Sequence, residues 1–175
     1  MEIVKTSIEN LVIIQPKVFE DERGYFMESY KESFVEEKFS DIHFIQDNES
    51  KSPYGVLRGL HFQKPPFEQT KLVRVIHGEI LDVAVDLRKD SSTYGRWESF
   101  VLSGENKRQI LIPKGFAHGF VVNSKEAIVC YKVDAPYNKE YESGICFDDK
   151  VLKINWGIEL KNLKLSTKDI NLPYL

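Results

Sequence analysis

The sequence lacks any long apolar run. No stretch approaches the roughly 20 apolar residues that cross a bilayer as a helix. The first seven residues also show no basic region followed by an apolar core. We therefore expect neither a transmembrane helix nor a secretory signal peptide, and we predict a cytoplasmic location.

The sequence also lacks an excess of charge of one sign. It carries 24 Lys and Arg against 27 Asp and Glu, which gives a formal net charge of −3 at pH 7. This balance gives no reason to expect a nucleic acid or a membrane surface as partner, since both attract basic proteins. A ligand that bears phosphate would have to meet a local cluster of Arg and Lys.

Metal and nucleotide motifs are absent as well. Only two cysteines occur, Cys130 and Cys146, and their spacing matches no metal site. We predict buried, reduced thiols, although a single disulfide stays open at this level. No two histidines are spaced as a transition-metal pair, so only a metal held by distant side chains stays open. There is also no glycine-rich phosphate loop and no nucleophile elbow. The four histidines are His43, His61, His77 and His118.

What the chain does contain favours one all-β domain spanning residues 1–175. It is 42% hydrophobic and 29% charged, with 11 Phe and 8 Tyr, a composition typical of a folded β protein. Short apolar runs separated by turn residues predict an antiparallel barrel or jelly roll. Residues 31–38 form the best candidate helix, and residues 46–53 are predicted to be a polar loop. Residues 71–77 and 80–88, joined at Gly78, are predicted to form a hairpin.

One strand-like stretch carries more polar side chains than a core strand needs. It reads Tyr54-Gly-Val-Leu-Arg-Gly-Leu-His-Phe-Gln63, and Gln69 and Lys71 follow it. A core strand with a satisfied histidine is one interpretation, but the number of polar groups favours a site. Arg58 and His61 would face opposite sides of a regular strand, so we predict an irregularity near Gly59 if both line one pocket.

A second strand carries acidic residues on one face. In residues 80–88 the apolar side chains alternate with Asp82, Ala84 and Asp86. The alternation places the two aspartates beside a small alanine, on a face that meets either solvent or a cavity wall. A histidine bracketed by glycines in Gly115-Phe-Ala-His-Gly119 is either a tight connection or a place where a ligand approaches the backbone.

An ordered set of motifs closely resembles the dTDP-4-dehydrorhamnose 3,5-epimerase family from about residue 10 to residue 173. The set is specific because its pieces occur in order along the chain. They are Asp21-Glu-Arg-Gly24, Arg58-Gly-Leu-His-Phe-Gln63, Gln69-Thr-Lys-Leu-Val73, Asp82-Val-Ala-Val-Asp-Leu-Arg88, Ile112-Pro-Lys-Gly-Phe-Ala-His-Gly-Phe120, Tyr131 with Tyr137 and Glu142, and Leu165-Ser-Thr-Lys-Asp169.

The resemblance implies a cupin-type antiparallel jelly-roll barrel with a few short helices. It implies a homodimeric isomerase that needs no cofactor and no metal. The implied reaction inverts C3 and C5 of dTDP-4-dehydro-6-deoxy-D-glucose, which yields dTDP-4-dehydro-L-rhamnose. That reaction belongs to dTDP-L-rhamnose biosynthesis, which supplies carbohydrates such as the O-antigen of lipopolysaccharide.

The resemblance also implies the roles of particular residues. His61 is the expected general base, oriented by Asp169, with Tyr131 as the opposing acid. Lys71 is our candidate for stabilising the enolate oxygen. The residues implied to contact nucleotide, diphosphate or sugar are Arg23, Glu28, Gln46, Asn48, Arg58, Lys71, His118, Tyr137, Glu142 and Lys168.

Three other interpretations compete with this one. Within the family, the chain could invert one centre only or act as a related ketoisomerase on another deoxysugar nucleotide. A catalytically silent sugar-binding cupin would have lost a member of the His61, Asp169 and Tyr131 set, and the sequence retains all three. A metal-dependent cupin oxygenase would need clustered histidines, which the sequence lacks.

Overall fold

A computed structural model describes all 175 residues of the chain. Strands dominate it, and helix is confined to two short segments and one 3-10 turn at Leu160–Asn162. The helices are α1 (Glu32–Lys38) and α2 (Thr167–Ile170). The strands are β1 (Glu2–Lys5), β2 (Val12–Gln15), β3 (Val18–Asp21), β4 (Gly24–Met27), β5 (Gln46–Pro53), β6 (Leu57–Gln63), β7 (Lys71–His77), β8 (Glu79–Asp86), β9 (Trp97–Ser103), β10 (Gln109–Ile112), β11 (Phe116–Val122), β12 (Glu126–Val133) and β13 (Glu142–Gly144).

Two antiparallel sheets pack against each other. One has the strand order β1-β2-β10-β7-β12-β5, and the other has the order β13-β6-β11-β8-β9. Buried side chains from both sheets, such as Val73, Val129, Ala84 and Phe120, form one core cluster between them. Neighbouring strands are mostly distant in sequence, as in a jelly roll. The predicted all-β, cupin-type architecture is therefore confirmed.

Strand β8 shows how the alternating pattern builds the two layers. Leu81, Val83 and Val85 point to a second cluster outside the barrel, while Ala84 joins the core between the sheets. Asp82 shares the face of Ala84 and is fully buried. Of the two surroundings that the sequence left open for this acidic face, solvent is therefore excluded.

The hairpin predicted across Gly78 is wrong. Strand β7 pairs with β10 and β12, whereas β8 pairs with β11 and β9 in the other sheet. Gly78 has a φ of 76°, and a Cβ there would lie 2.0 Å from the carbonyl oxygen of Glu126. The glycine marks a tight reversal as expected, but a local pattern cannot tell whether the chain returns beside itself or crosses to the other sheet.

The loop predicted at residues 46–53 is also wrong, because the segment is strand β5. It pairs with β12 alone, at the edge of the six-stranded sheet, and most of its side chains are half-buried or exposed. Polar residues are unusual in central strands, but an edge strand that faces solvent tolerates them. Backbone pairing with β12 therefore overrides the weak strand propensity of this segment.

The segment before β5 matches the predictions more closely. Helix α1 lies where residues 31–38 indicated, and its Phe34 packs on the outer face of the six-stranded sheet. Before this helix, β4 ends at Met27 and pairs only with β3 in a two-stranded ribbon. Cys130 and Cys146 are free thiols, as predicted, although Cys130 is only half-buried. Neither helix has the length or the apolar character that crossing a membrane requires.

Candidate active site

A cavity of about 680 Å³ opens between the two sheets. Strands β5, β7 and β12 form one wall, strands β6 and β11 form the other, and the segment around α2 closes the side. Eight of the residues predicted to act on substrate line it, although they are scattered over the sequence. They are Asn48, Arg58, His61, Lys71, His118, Tyr131, Lys168 and Asp169.

His61 and Asp169 form a hydrogen-bonded pair in this cavity. The His61 Nε2 atom lies 2.5 Å from Asp169 Oδ1, and the ionised carboxylate accepts a hydrogen bond from the Nε2–H. Ser166 Oγ donates to the other carboxylate oxygen over 2.8 Å. Burial raises the pKa of Asp169, but the hydrogen bonds from His61 and Ser166 outweigh it, so the net pKa is lowered. The Nδ1 atom of His61 is left without a carboxylate partner and is available to accept a proton.

The short helix α2, which was not predicted from the sequence, places Asp169 beside His61. Ser166 caps α2 and accepts a hydrogen bond from the Asp169 backbone N–H over 3.1 Å. Lys164, just before the helix, bonds through its backbone to Gly55 and Leu57 beside strand β6. The spacing Ser-x-x-Asp is a capping signature that could have revealed the helix from sequence.

The irregularity predicted at Gly59 is present. Gly59 has a φ of 128°, and the pairing of β6 with β11 shifts register between His118 and Phe120, opposite it. A Cβ on Gly59 would lie 2.5 Å from the Cα atom of Gly119, so no side chain fits there. The shift lets Arg58 and His61 line the same cavity, as the sequence argument required.

Lys71 and Tyr131 lie in the cavity with altered acidity. Burial lowers the pKa of Lys71 to about 8, against the charges of Asp82 and Glu142, which raise it. Burial raises the pKa of Tyr131, and the nearby charge of Arg58 offsets part of that rise. Tyr131 therefore holds its proton at neutral pH, and Lys71 is an ammonium close to its titration point.

A second histidine–aspartate pair lies beside the first. His118 faces His61 across β11 and β6, and its Nε2 atom donates to Asp82 Oδ2 over 2.8 Å. The other oxygen, Oδ1, is buried with no hydrogen-bond partner in the protein. The motifs placed His118 in the site but assigned no role to Asp82. The position of Asp82 on the polar face of β8 was the sequence feature that could have indicated its role.

The mouth of the cavity carries positive charge. Arg58 donates from Nε to the buried Ser52 Oγ over 3.0 Å, which fixes the guanidinium; Ser52 is a contributor that the sequence did not indicate. Lys168 forms an ion pair with Glu142, which also accepts a hydrogen bond from Tyr137 Oη over 2.9 Å. Burial raises the pKa of Glu142, but these two hydrogen bonds and the charge of Lys168 leave it lowered overall.

Besides Tyr137 and Glu142, which border the cavity lining through Lys168, three predicted residues lie outside the cavity of their own chain. Arg23 lies on the exposed ribbon and pairs with Asp21 at 2.5 Å. Glu28 follows the same ribbon and is also exposed, while Gln46 donates to Asn48 Oδ1 over 2.8 Å from the end of β5. The fold thus brings Gln46 next to the cavity but leaves the other two away from it. No three histidine, cysteine or acidic side chains gather in a way that could hold a metal ion.

The fold and this cavity together define a cupin-type enzyme that moves protons by acid–base chemistry. The family model described as dTDP-4-dehydrorhamnose 3,5-epimerase matches residues 5–175. The chain therefore belongs to the dTDP-4-dehydrorhamnose 3,5-epimerase family and is an isomerase, which confirms the resemblance drawn from the motifs.

Individual relatives agree with this assignment. A dTDP-4-dehydrorhamnose 3,5-epimerase of Methanothermobacter thermautotrophicus is 54% identical over 169 residues, which cover 96% of this chain and 91% of the relative. The crystal structure of the enzyme from Elizabethkingia anophelis NUHP1 is 52% identical, covers 99% of this chain and 96% of its own, and superposes with a TM-score of 0.95. The RmlC structure from Legionella pneumophila Philadelphia 1, described as in complex with dTDP-4-keto-L-rhamnose, is 47% identical, covers 99% and 92% of the two chains, and has a TM-score of 0.94.

Proposed function

We propose that the protein inverts C3 and C5 of dTDP-4-dehydro-6-deoxy-D-glucose to form dTDP-4-dehydro-L-rhamnose in dTDP-L-rhamnose biosynthesis. One observation carries the proposal beyond family membership. His61 with Asp169 lies on the wall formed by the five-stranded sheet, and Tyr131 lies on the wall formed by the six-stranded sheet. Inversion needs a base and an acid on opposite faces of one sugar ring, and this cavity provides both.

His61 is proposed as the general base. The C4 ketone acidifies the hydrogens on C3 and C5, because the resulting carbanion is delocalised as an enolate. Nδ1 of His61 takes the proton, and histidine suits this task near neutral pH. The ionised Asp169 carboxylate holds the ring orientation and stabilises the imidazolium that forms.

Lys71 is proposed to stabilise the enolate oxygen. It lines the cavity and carries an ammonium group in a buried setting. A positive or donor group held in place before the reaction stabilises developing negative charge more strongly than water does. Nearby, the Asp82 carboxylate accepts a hydrogen bond from the His118 Nε2–H and so fixes the orientation of that imidazole ring in the cavity wall.

Tyr131 is proposed to return a proton to the opposite face of the ring. Its raised pKa keeps the phenol protonated until the enolate forms.

At the mouth of the cavity, the planar guanidinium of Arg58 is suited to bind the oxygens of a diphosphate by paired hydrogen bonds, and Lys168 adds a second positive charge. Tyr137 could stack on the thymine, and the nearby Glu142 and Asn48 would bind the sugar or nucleotide by hydrogen bonds.

Arg23 and Glu28 fit this function if the enzyme is a homodimer. The ribbon that carries them exposes Phe19, Tyr25 and Phe26 to solvent, at 53%, 54% and 66%. A two-stranded ribbon is marginal alone, and exposed apolar patches mark interaction sites. We propose that the ribbon packs on a second copy and presents both residues to that copy's cavity. The proposed nucleotide-sugar substrate favours a cytoplasmic location.

Exchange of solvent hydrogen tests the proposed reaction. Incubating the enzyme with the 4-keto sugar nucleotide in D₂O should place deuterium at both C3 and C5, because each centre passes through an enolate. Proton NMR of the recovered sugar checks this result. Deuterium at one carbon only would replace the proposal with the single-centre epimerase, and no exchange would reject epimerisation altogether.

Titration of Lys71 is expected to produce the alkaline limb of the pH profile of kcat/KM. Its ammonium is present below a pKa of about 8 and is lost as the pH rises through that value. The kcat/KM of the wild-type enzyme should therefore fall above about pH 8. Lys71→Met should lower kcat/KM by roughly 10²–10³-fold, the range seen for single oxyanion donors, and should remove this limb.

The matched control for Lys71 is Lys114→Met, since Lys114 lies outside the cavity and pairs with Asp134 at 3.1 Å. That variant should keep both the rate and the pH profile. An alkaline limb that persists unchanged in Lys71→Met would assign the titration to another group.

A further inference from the structure

The segment that begins at the last residue of strand β13, residues 144–149, contacts the strand that carries His61 and the tail that follows the helix of Asp169; we call it the brace. On one side it holds the strand of His61. Gly144 is the cross-strand partner of His61, and Ile145 exchanges two backbone hydrogen bonds with Leu60, of 3.0 and 3.2 Å. The position of His61 on its sheet is thus fixed directly by the brace.

On the other side the brace holds the tail that follows α2. The Cys146 backbone N–H donates to the carbonyl oxygen of Pro173 over 2.8 Å. The carboxylate of Asp149 accepts the backbone N–H of Leu175 over 2.8 Å. These two bonds fasten the chain just beyond the helix that carries Asp169.

Asp149 is a buried charge that the proposed mechanism does not use. It is 2% exposed, and its second oxygen accepts the backbone N–H groups of Val151 and Leu152 at 2.8 and 2.9 Å. Burial raises its pKa, but the three backbone N–H groups lower it overall. The negative charge is therefore stabilised by backbone alone and is present when the tail is docked.

Gly144 marks where the strand, the brace and the tail meet. A Cβ at this position would lie 2.4 Å from the Leu60 carbonyl oxygen and 2.8 Å from the Leu172 side chain. No side chain fits without moving the strand or the tail. The close approach is independent of the Asp149 hydrogen bonds and points to the same junction.

We propose that Asp149 is a positioning residue that sets the contact between His61 and Asp169 through the brace. Helix α2 has only four residues, which is too short to hold its place without outside contacts. Its start is tied at Lys164, and its far end is tied by Cys146 and Asp149. The inference deepens the proposed function, since it depends on Asp169 supporting His61.

Two variants of Asp149 test the proposal by kinetics. Asp149→Ala removes the carboxylate that accepts the hydrogen bond from Leu175. Asp149→Asn keeps the side-chain size but weakens that hydrogen bond, because the negative charge is lost. Both should lower kcat by about 10- to 100-fold, the cost of displacing a catalytic group by about 1 Å. KM and dTDP affinity should change less than kcat, because Arg58, the main residue proposed to bind the diphosphate, does not lie on α2 and only the supporting Lys168 does.

A double-mutant cycle separates positioning from stability. If Asp149 acts through Asp169, Asp149→Ala should cost no further activity in an Asp169→Asn background. Additive losses in kcat would overturn the proposal, since they indicate a general structural effect. Asp148→Ala is the matched control, because Asp148 lies in the same segment, pairs with the exposed Lys150 at 2.7 Å and meets the tail through the exposed Tyr174 side chain rather than through the backbone. If Asp149→Ala does not fold, the cycle is built on Asp149→Asn.

An NMR measurement keeps the proposal separate from the reaction. The His61 imidazole N–H bonded to Asp169 is observed in ¹⁵N-histidine-labelled protein without substrate. Its signal should shift or vanish in Asp149→Ala and Asp149→Asn, as in Asp169→Asn, and should persist in Asp148→Ala. An unchanged signal in both Asp149 variants would overturn the positioning role, whether or not the wild-type enzyme catalyses exchange.

Discussion

His61→Ala is expected to stop hydrogen exchange at both C3 and C5 of the 4-keto sugar nucleotide. His61 is the only histidine whose ring contacts Asp169, and the other histidine–aspartate pair of the cavity, His118 with Asp82, is the alternative base. General-base help is worth about 10²–10⁴-fold, so exchange should fall at least by that range. Deuterium content by NMR and product formation should fall together.

The same variant should still bind nucleotide. Arg58 and Lys168, at the mouth, do not depend on the imidazole, so dTDP affinity by calorimetry should remain close to that of the wild type. His43→Ala is the control, because that ring is on the surface, 3.5 Å from Glu32. Exchange that persists in His61→Ala would move the base elsewhere in the cavity, with His118 as the next residue to test.

The sequence predicted the strand that carries His61 well because its signals are local. Gly59, between Arg58 and His61, indicated an irregular strand, and the pairing of β6 with β11 shifts register opposite this glycine. The alternation on β8 likewise predicted which face would hold Asp82. In both cases the relevant geometry depends on residues within a few positions of each other.

The partners of those strands could not be predicted in the same way. Gly78 signalled a reversal, but the pairing of β7 and β8 with different sheets depends on contacts far along the chain. The residues of β5 have little strand propensity, and the strand forms because its backbone pairs with that of β12. Long-range pairing of this kind leaves no short pattern in the sequence.

The active site shows the same contrast between local features, which the sequence predicts, and long-range contacts, which it does not. The motifs implied that Asp169 orients His61, and the structure places them 2.5 Å apart although 108 positions separate them. Composition and periodicity alone could not have joined them, because the contact depends on how the tail is fastened. Arg23 and Glu28 fit the motifs equally well, yet the single chain leaves both on an exposed ribbon. Their role remains a prediction that depends on a second copy.

Tyr131→Phe should separate proton removal from inversion. The change deletes only the phenol oxygen and keeps the ring that packs against the core, so the fold should be retained. His61 still removes and returns protons on its own face, so exchange with retained configuration should continue. Formation of the inverted product should fall by about 10²–10⁴-fold, because no acid remains on the opposite wall.

The measurement is NMR of the sugar recovered from D₂O, which reports deuterium content and configuration at each centre in one spectrum. Tyr141→Phe is the matched control, since Tyr141 packs against Phe67 away from the cavity lining. Equal losses of exchange and inversion in Tyr131→Phe would mean that the hydroxyl acts before the enolate forms. Unchanged inversion would assign the acid to another group. Only the loss of inversion with exchange preserved agrees with a base and an acid on facing sheets of the barrel.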